Sequence, residues 1–234
     1  MAALNALREG RLVFQNEACM VINKLSGESS EFPDIEASGE KMPMPVHRLD
    51  MPVSGCLLLA KTPQAAAFLN AAFAAGQVEK RYWAIIEKPA RGAVPESGEL
   101  VHWLGFDPAK NKSCAYNEAG NPRQGRKKAV LRYSITGAGT NYLFMEIDLV
   151  TGRHHQIRAQ LAAMGLRIKG DLKYGARRSE KSGGIRLHAY SLAFPNPALH
   201  SERIEAQTLP PAADALWAAF AESAAAGQKT IAPA

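Results

Sequence analysis

The sequence predicts an α+β protein in which a mixed, mainly antiparallel β-sheet carries flanking helices. Segments that alternate with a period of two outnumber segments of helical period, and several of them are joined by short, hairpin-like turns. The chain has 234 residues, of which 47% are hydrophobic and 21% charged, so it can bury a sizeable core as one large domain or two small ones. No linker divides it, and we expect a single domain over residues 1–234.

The first part of the chain predicts strands on either side of one helix. Thr62 followed by Pro63 is typical of a helix start, because a hydroxyl caps the helix and proline is tolerated at its first position. The leucine run after Gly55 indicates a short buried strand. The predicted elements are, in order, a strand within residues 11–23, a loop over 28–45, a buried strand at 57–59, a helix over 62–76 and a strand over 80–86.

The second part predicts a hairpin, a helix, a strand and a terminal helix. Residues 142–150 alternate with the period of a strand that has one face on the core. Ile157, Leu161 and Met164 recur at helical spacing, which predicts a helix that ends at Gly165. The predicted elements are an irregular stretch over 89–125, paired strands at 129–135 and 142–150, a helix over 154–164, a loop over 170–175, a strand over 185–194 and a helix over 209–226.

The composition excludes several classes of protein. No window approaches the roughly 18 consecutive apolar residues of a membrane span, and the N-terminus lacks the basic-then-apolar pattern of a signal peptide. The three cysteines, Cys19, Cys56 and Cys114, are odd in number and far apart, which argues against a disulfide framework and a paired-cysteine metal site. We therefore expect a cytoplasmic protein with no membrane partner.

The net charge of +6 is concentrated in two segments of the chain. Residues 110–132 contain seven basic residues and one acidic residue, and residues 151–186 contain nine basic and two acidic residues. A basic surface of this asymmetry suits a polyanion, most simply a nucleic acid. A solvated lysine- and arginine-rich face is the plainer alternative, and nucleic-acid binding is the favoured interpretation.

A polar group stands directly before the buried leucine strand. His47, Arg48 and Asp50 precede a turn that contains proline and glycine, so Asp50 lies on a loop held by a rigid element, where catalytic residues are often placed. Taken alone, these residues favour a structural loop with a local ion pair. Arg158 lies about a quarter-turn from the buried stripe of its predicted helix and offers a positive charge at the edge of a cleft.

Three kinds of chemistry are compatible with these side chains. A metal site is disfavoured, because the adjacent His154 and His155 would point about 100° apart on a helix. Hydrolysis by two carboxylates needs a pair that the sequence does not single out. A single aspartate, Asp50, held ionised by nearby arginines acts as a nucleophile or an electrostatic stabiliser. Since arginine also binds phosphate, this third set favours chemistry on a sugar or base within a polyanion.

Several short motifs occur in an order that resembles a known enzyme family. Residues 47–55 read HRLD…SG, and residues 151–158 read TGRHHQIR. With further motifs at 23–27 (NKLSG), 80–84 (KRYWA), 170–175 (GDLKYG) and 187–189 (LHA), the chain resembles the RluA-type family of RNA pseudouridine synthases over most of its length. It departs from the usual family residues at Leu25, Val53, Gln160 and Asn196.

The resemblance implies a pseudouridine synthase fold with a central active-site cleft and roles for specific residues. Asp50 would be the catalytic aspartate, Arg158 its ionic partner and Tyr82 the ring that stacks on the target uracil. Arg48 would fill the gap left in the RNA by the flipped nucleotide. Flipping costs a few kcal/mol, of which stacking returns about 1–3 kcal/mol. RNA contacts are predicted for Arg48, His47, Lys24, Lys80, Arg153, Lys127 and Lys128.

The implied reaction is the isomerisation of uridine to pseudouridine in a stem-loop of rRNA or tRNA. Attack of the aspartate at C1′, attack at C6 and removal of a sugar proton are all compatible with it. Because nothing is oxidised and no group is carried in, neither a cofactor nor a metal is expected. Two alternatives stay open, namely a non-catalytic RNA-binding protein that retains the fold and a hydrolase of glycosidic bonds.

Two further expectations concern organisation and individual side chains. The first strand begins near Arg11, so no separate N-terminal RNA-binding domain is expected, and a monomer is expected. His188 is interpreted as a satisfied buried histidine rather than a base. Lys24 is equally compatible with a phosphate contact and with a structural lysine of its turn.

Overall fold

The chain folds into two compact units, each with its own part of the β-structure. The computed structural model describes residues 9–31, 43–90, 92–117, 123–181, 183–210 and 214–228. The first unit comprises Met1–Arg81, Ser182–Gly184 and His188–Pro211, and the second comprises Tyr82–Lys181, Ile185–Leu187 and Ala212–Ala234.

The elements of the described residues are strands, three α-helices and one 3₁₀ turn. The strands are β1 Leu12–Gln15, β2 Cys19–Lys24, β3 Met44–Pro45, β4 Ser54–Ala60, β5 Glu79–Glu87, β6 Ser97–Asp107, β7 Lys112–Tyr116, β8 Lys127–Ala138, β9 Tyr142–Leu149, β10 Arg167–Ile168, β11 Leu187–Pro195 and β12 Arg203–Gln207. The helices are α1 Pro63–Ala74, α2 Gln156–Ala163 and α3 Ala215–Gln228, and the 3₁₀ turn is Leu172–Tyr174.

The first unit is built around β4, which is buried along its whole length. It pairs antiparallel with β2 and β3 and parallel with β11, while β1 flanks β2 and β12 flanks β11, both antiparallel. Helix α1 begins at Thr62, whose Oγ1 accepts a hydrogen bond from the amide of Ala65 at 3.1 Å. Leu58, Leu69 and Phe194 form the core between this helix and the strands.

A glycine is required where β4 approaches β11. Gly55 has a φ of +119°, and a Cβ atom at this position would lie 2.3 Å from the carbonyl oxygen of Ala189, far inside van der Waals contact. The strand register places these two residues opposite each other. Because a side chain would push the strands apart, Gly55 fixes the start of β4 directly after the loop that carries Asp50.

The second unit contains the antiparallel run β9, β8, β6 and β7, with β10 paired to β5. Helix α2 packs on one face of this run, where Leu104, Ala129, Ala159 and Tyr174 form a buried cluster. Helix α3 packs through Phe220, whose ring stacks on Phe144 with centroids 5.3 Å apart.

The predicted fold class is confirmed as α+β with a mixed, mostly antiparallel sheet. The single strand predicted within residues 11–23 is the hairpin β1–β2, and the stretch 89–125, predicted as irregular, contains β6 and β7. Strand β12 was not predicted. The single catalytic domain and the central cleft stay predictions.

Within the described parts of the chain, no helix is long and apolar enough to cross a membrane.

Candidate active site

The turn that carries Asp50 is held on both sides by the loop that follows β2. The hydroxyl of Ser30 accepts a hydrogen bond from the amide of Leu49 and donates one to its carbonyl, both at 3.0 Å. On the other side, the amide of Gly27 donates to the carbonyl of Met51 at 2.7 Å. The residues before and after Asp50 are therefore both fixed to the loop that follows β2, at Ser30 and at Gly27, and Gly27 is the last residue of the NKLSG motif.

Lys24 belongs to the same arrangement, and its role differs from the predicted RNA contact. Its side chain is fully buried, and Nζ donates to the carbonyls of Leu25, Glu28 and Met51 at 2.8–3.3 Å. An ammonium has three donors, so the geometry argues against a phosphate contact and favours the structural alternative. Burial lowers its pKa from 10.5 to about 8, while the carboxylates of Glu28 and Asp50 act in the opposite direction. The Lys24 charge therefore lies within electrostatic range of Asp50.

The other residues of the HRLD segment divide between solvent and interior. The side chain of Arg48 is 70% exposed and pairs at 2.8 Å with the exposed carboxylate of Glu31, a surface ion pair of small energetic value. His47 accepts a hydrogen bond on Nε2 from the amide of Leu58 at 2.9 Å and stacks on Phe73. These contacts give His47 a structural role, and its RNA contact stays a prediction.

Lys80 and His47 both contact the aromatic ring of Phe73. The Nζ of Lys80 is 5.9 Å from the centroid of the Phe73 ring, a cation–π contact. Burial, and then the charge of Lys80, lowers the pKa of His47 from 6.5 to about 3, so the imidazole is neutral. The first unit thus brings two of the predicted RNA-binding residues together at the end of α1.

The interpretation of His188 as a satisfied buried histidine is confirmed. Its Nε2 lies 2.8 Å from the carbonyl of Thr208, which can only accept, so Nε2 carries the proton. The hydroxyl of Ser54 then donates to Nδ1 at 2.9 Å. Burial lowers the pKa of His188 to about 4. A fully engaged, neutral ring next to Ser54 anchors the start of β4.

In the second unit, Arg158 forms a buried, bidentate ion pair that the sequence did not predict. Its Nε and Nη2 donate to the two carboxylate oxygens of Asp171 at 2.7 and 2.8 Å, and the side chains are only 5% and 2% exposed. The guanidinium also lies 4.9 Å from the ring centroid of Tyr174. Asp171 and Tyr174 belong to the GDLKYG motif, so this motif fixes the orientation of the predicted catalytic arginine.

The TGRHHQIR motif builds the turn that starts α2. The side-chain oxygen of Gln156 accepts hydrogen bonds from the hydroxyl of Thr151 at 2.8 Å and the amide of Arg153 at 3.0 Å, and its amide nitrogen donates to the carbonyl of Val130 at 3.0 Å. His155 occupies the N-cap position of α2 with a φ of +52°, and its side chain makes no capping hydrogen bond. The turn therefore ties the helix to β8.

Three predicted RNA-binding residues lie together beside β8. Lys127 and Lys128 are exposed at its start, and Nε of Arg153 donates to the carbonyl of Lys128 at 3.2 Å.

Tyr82 lies on β5 and is 8% exposed. Asp50 belongs to the first unit and Tyr82 and Arg158 to the second, and their predicted convergence stays a prediction.

Among the described residues, no group of three or more histidine, cysteine, aspartate or glutamate side chains is arranged to hold a metal ion.

An aspartate on a rigid turn, in an α+β fold with exposed basic residues, is compatible with an enzyme that acts on a polyanion, and comparisons with known proteins identify the family. A sequence model described as RNA pseudouridylate synthase matches residues 18–163, more than half of the chain. The chain therefore belongs to the RNA pseudouridylate synthase family, and the predicted RluA-type pseudouridine synthase, an isomerase, is confirmed at the level of the family.

Several relatives carry names from this family. An uncharacterized RNA pseudouridine synthase of Zymomonas mobilis is 36% identical and covers 65% of this chain and 67% of its own length. The tRNA pseudouridine synthase C of Haemophilus ducreyi is also 36% identical, with the same two coverages. The ribosomal large subunit pseudouridine synthase D of Zymomonas mobilis is 34% identical and covers 71% of this chain, which spans only 49% of that relative.

Among solved structures, the human RNA pseudouridylate synthase domain containing 4 superposes with a TM-score of 0.71. It is 20% identical and covers 96% of each chain, and the likeness confirms the fold alone.

Proposed function

We propose that this protein isomerises uridine to pseudouridine in tRNA or large-subunit rRNA, with Asp50 as the catalytic carboxylate. The observation that carries the assignment of Asp50 is the turn held at Leu49 by Ser30 and at Met51 by Gly27. A carboxylate on a rigid turn meets the reacting atom in a fixed geometry, which lowers the entropy cost of the reaction. The choice of RNA follows the printed names of two relatives.

The proposed reaction balances without a cofactor. The C1′–N1 bond breaks, the uracil turns, and a C1′–C5 bond forms, while C5 loses a hydrogen and N1 gains one. The carboxylate of Asp50 is the group that acts on the nucleotide. Atoms and electrons are the same in substrate and product, so no external oxidant or group donor enters the step.

Other residues take supporting roles in this proposal. Arg158 pairs with Asp50 through N–H groups other than the two bound by Asp171, which hold the guanidinium in one orientation. Tyr82 stacks on uracil, and because its ring is nearly buried, the base has to leave the RNA stack to reach it. Arg48 extends into solvent and fills the place of the flipped base.

The Asp50→Asn substitution tests the proposal. It removes the carboxylate charge and keeps the shape, so we expect no pseudouridine in unmodified tRNA or large-subunit rRNA transcripts, with an unchanged unfolding temperature. Asp148→Asn, the same chemical change at an exposed position of β9, is the control and should keep full activity. Pseudouridine is mapped by chemical labelling and primer extension.

Three outcomes would overturn parts of this proposal. Substantial activity in Asp50→Asn would remove the assignment of Asp50. Release of free uracil by the wild-type protein would favour a glycosidic-bond hydrolase. RNA binding without any pseudouridine formation would favour a non-catalytic RNA-binding protein.

A further inference from the structure

The sheet of the second unit has a face in which an exposed tyrosine, a half-buried tryptophan and basic residues meet. The register places Tyr116 of β7, Trp103 of β6 and Lys128 of β8 opposite one another in a single row. Directly opposed residues of neighbouring strands project from the same face. Tyr116 is 37% exposed, so this row is accessible at the β7 edge.

The row points away from helix α2. The residues that precede or follow the row in their strands, Leu104, Ala115 and Ala129, pack in the cluster against this helix. Because successive residues of a strand alternate between faces, the row of Tyr116, Trp103 and Lys128 lies on the opposite side. Cys114, which the register pairs with Gly105, follows in the next row of the same face.

A stacked arginine extends this face. The guanidinium carbon of Arg126 lies 3.5 Å from the ring centroid of Tyr116. Gly105 lies against this stack, since a Cβ atom there would lie 3.3 Å from the Tyr116 ring, a tight contact, and 3.6 Å from Cγ of Arg126, an ordinary one. A tyrosine that carries a guanidinium offers both a π-surface and a positive charge.

The charged residues of the two rows are basic, and an acidic residue, Asp107, follows in the next row of the same face. Arg126 and Lys128 lie in the two rows, and Arg153 lies beside Lys128 through its 3.2 Å hydrogen bond to the main chain. Farther along the same strands the pattern changes, because Arg132 pairs with Glu99 at 2.9 Å and balances its charge. The positive charge is therefore concentrated at the aromatic end of the face.

We propose that the aromatic–basic face, formed by Trp103, Cys114, Tyr116, Arg126, Lys128 and Arg153, is an RNA contact surface that holds an unpaired segment of the substrate. The inference rests on the proposed function and adds to it, since the face contains none of the proposed catalytic residues. Phosphates bind the three cations, and one or two bases stack on the aromatic rings. This combination of π-surfaces with a positive groove is how proteins bind single-stranded RNA without reading its sequence.

Cys114 provides a direct test, because it reports on the centre of the face without any substitution. Cys19 and Cys56 are buried, whereas Cys114 is exposed, and burial raises the pKa of the two buried thiols to about 11 and about 12. N-ethylmaleimide should therefore alkylate Cys114 selectively. With unmodified tRNA and large-subunit rRNA transcripts bound at saturation, we expect its alkylation rate to fall at least fivefold. An unchanged rate with RNA bound, verified by mobility shift in the same sample, would overturn the inference.

Variants separate stacking from general binding. Tyr116→Ala should weaken RNA binding at least about fivefold, the lower end for loss of a stacked base, and Tyr116→Phe should restore it because the ring is kept. Phe106→Ala is the matched control, because Phe106 is an exposed aromatic of the same strand as Trp103 that contacts His154 and lies on the other face. Equal affinity of Tyr116→Ala and wild type would also contradict the inference.

The two proposals fail in different ways. A protein that forms pseudouridine but whose Cys114 reacts equally with and without bound RNA refutes only the aromatic–basic face. A protein that protects Cys114 with RNA and forms no pseudouridine refutes the proposed reaction and supports the face. A protein that binds none of the transcripts refutes both.

Discussion

Three neutral histidines link the stability of the protein to pH. Burial lowers the pKa of His188 to about 4 and those of His47 and His155 to about 3, from an ordinary value of 6.5. Each ring therefore binds a proton more readily in the unfolded chain than in the folded one. The stability that these rings contribute is fully present above pH 6.5 and is lost as the pH falls, toward 4 for His188 and toward 3 for His47 and His155, because protonation then favours unfolding.

We expect the free energy of unfolding to fall steeply between pH 6.5 and pH 4, with His188 accounting for roughly 3 kcal/mol at 1.36 kcal/mol for each pH unit. In His188→Gln, the amide can donate to Thr208 and accept from Ser54 as the neutral ring does, but it does not titrate. Urea unfolding of both proteins at pH 7.5, 5.5 and 4.5 measures the difference. The same pH slope in wild type and variant would show that His188 does not carry this effect.

Local sequence identified the motifs that carry the candidate site residues but not the contacts that their charged side chains make. Lys24 was predicted to be either an RNA contact or a structural residue. Its ammonium group donates to three carbonyls, one of them that of Met51, and these contacts favour the structural role. Arg158 was predicted as a partner of Asp50, whereas its bidentate contact with Asp171 was not predicted. Such contacts depend on the tertiary fold, because the spacing of these residues along the chain matches neither the period of a helix nor that of a strand.

At the level of the strands, the β4–β11 contact is the tightest backbone approach at a glycine of the described chain. We expect Gly55→Ala to lower the free energy of unfolding by about 3 kcal/mol or more, because both the positive φ and the carbonyl of Ala189 oppose a Cβ atom. Gly139→Ala is the control, since no atom lies within 4 Å of its added methyl group, and should change stability by less than about 1 kcal/mol. Thermal unfolding compares the two variants.

Equal stability of the two glycine variants would contradict the proposed close packing. A further consequence separates the placement of Asp50 from stability, since Gly55 lies between the Asp50 turn and the leucine run of β4. Gly55→Ala should lose more activity than its unfolded fraction accounts for, measured below its unfolding temperature.

The elements that sequence patterns missed are those that depend on distant partners. Strand β6 has apolar residues on both faces, with Leu100 and Leu104 inward and Val101 and Trp103 outward, so it lacks the clean alternation of a one-sided strand. In β12, only Ile204 and Ala206 face the core, and pairing with β11 supplies the remaining stabilisation. By contrast, the helix caps at Thr62 and the alternation of β9 are local signals, and both elements were predicted.

For the protein as a whole, the structure divides the positive charge into internal and external parts. In the segment 151–186, Arg158 pairs with Asp171, and Lys169 and Arg186 both pair with Glu180. These three side chains are largely buried, so they do not belong to a polyanion-binding surface. The net charge of this segment therefore overstates the number of possible phosphate contacts, and only its exposed basic residues can belong to the predicted basic surface.

This division predicts how RNA affinity depends on salt. Each phosphate contact contributes about 0.7–0.9 to the slope of log affinity against log salt concentration, so Lys128→Gln should reduce that slope by about 1. Arg186→Gln removes the same charge but leaves the buried carboxylate of Glu180 and the partly exposed carboxylate of Asp214 without this partner, and it should cost about 1–3 kcal/mol of stability with an unchanged slope. Filter binding at salt concentrations of about 50 to 300 mM measures the slope. Urea unfolding measures the loss of stability. If both variants changed the slope equally, net charge rather than position would govern the binding of RNA.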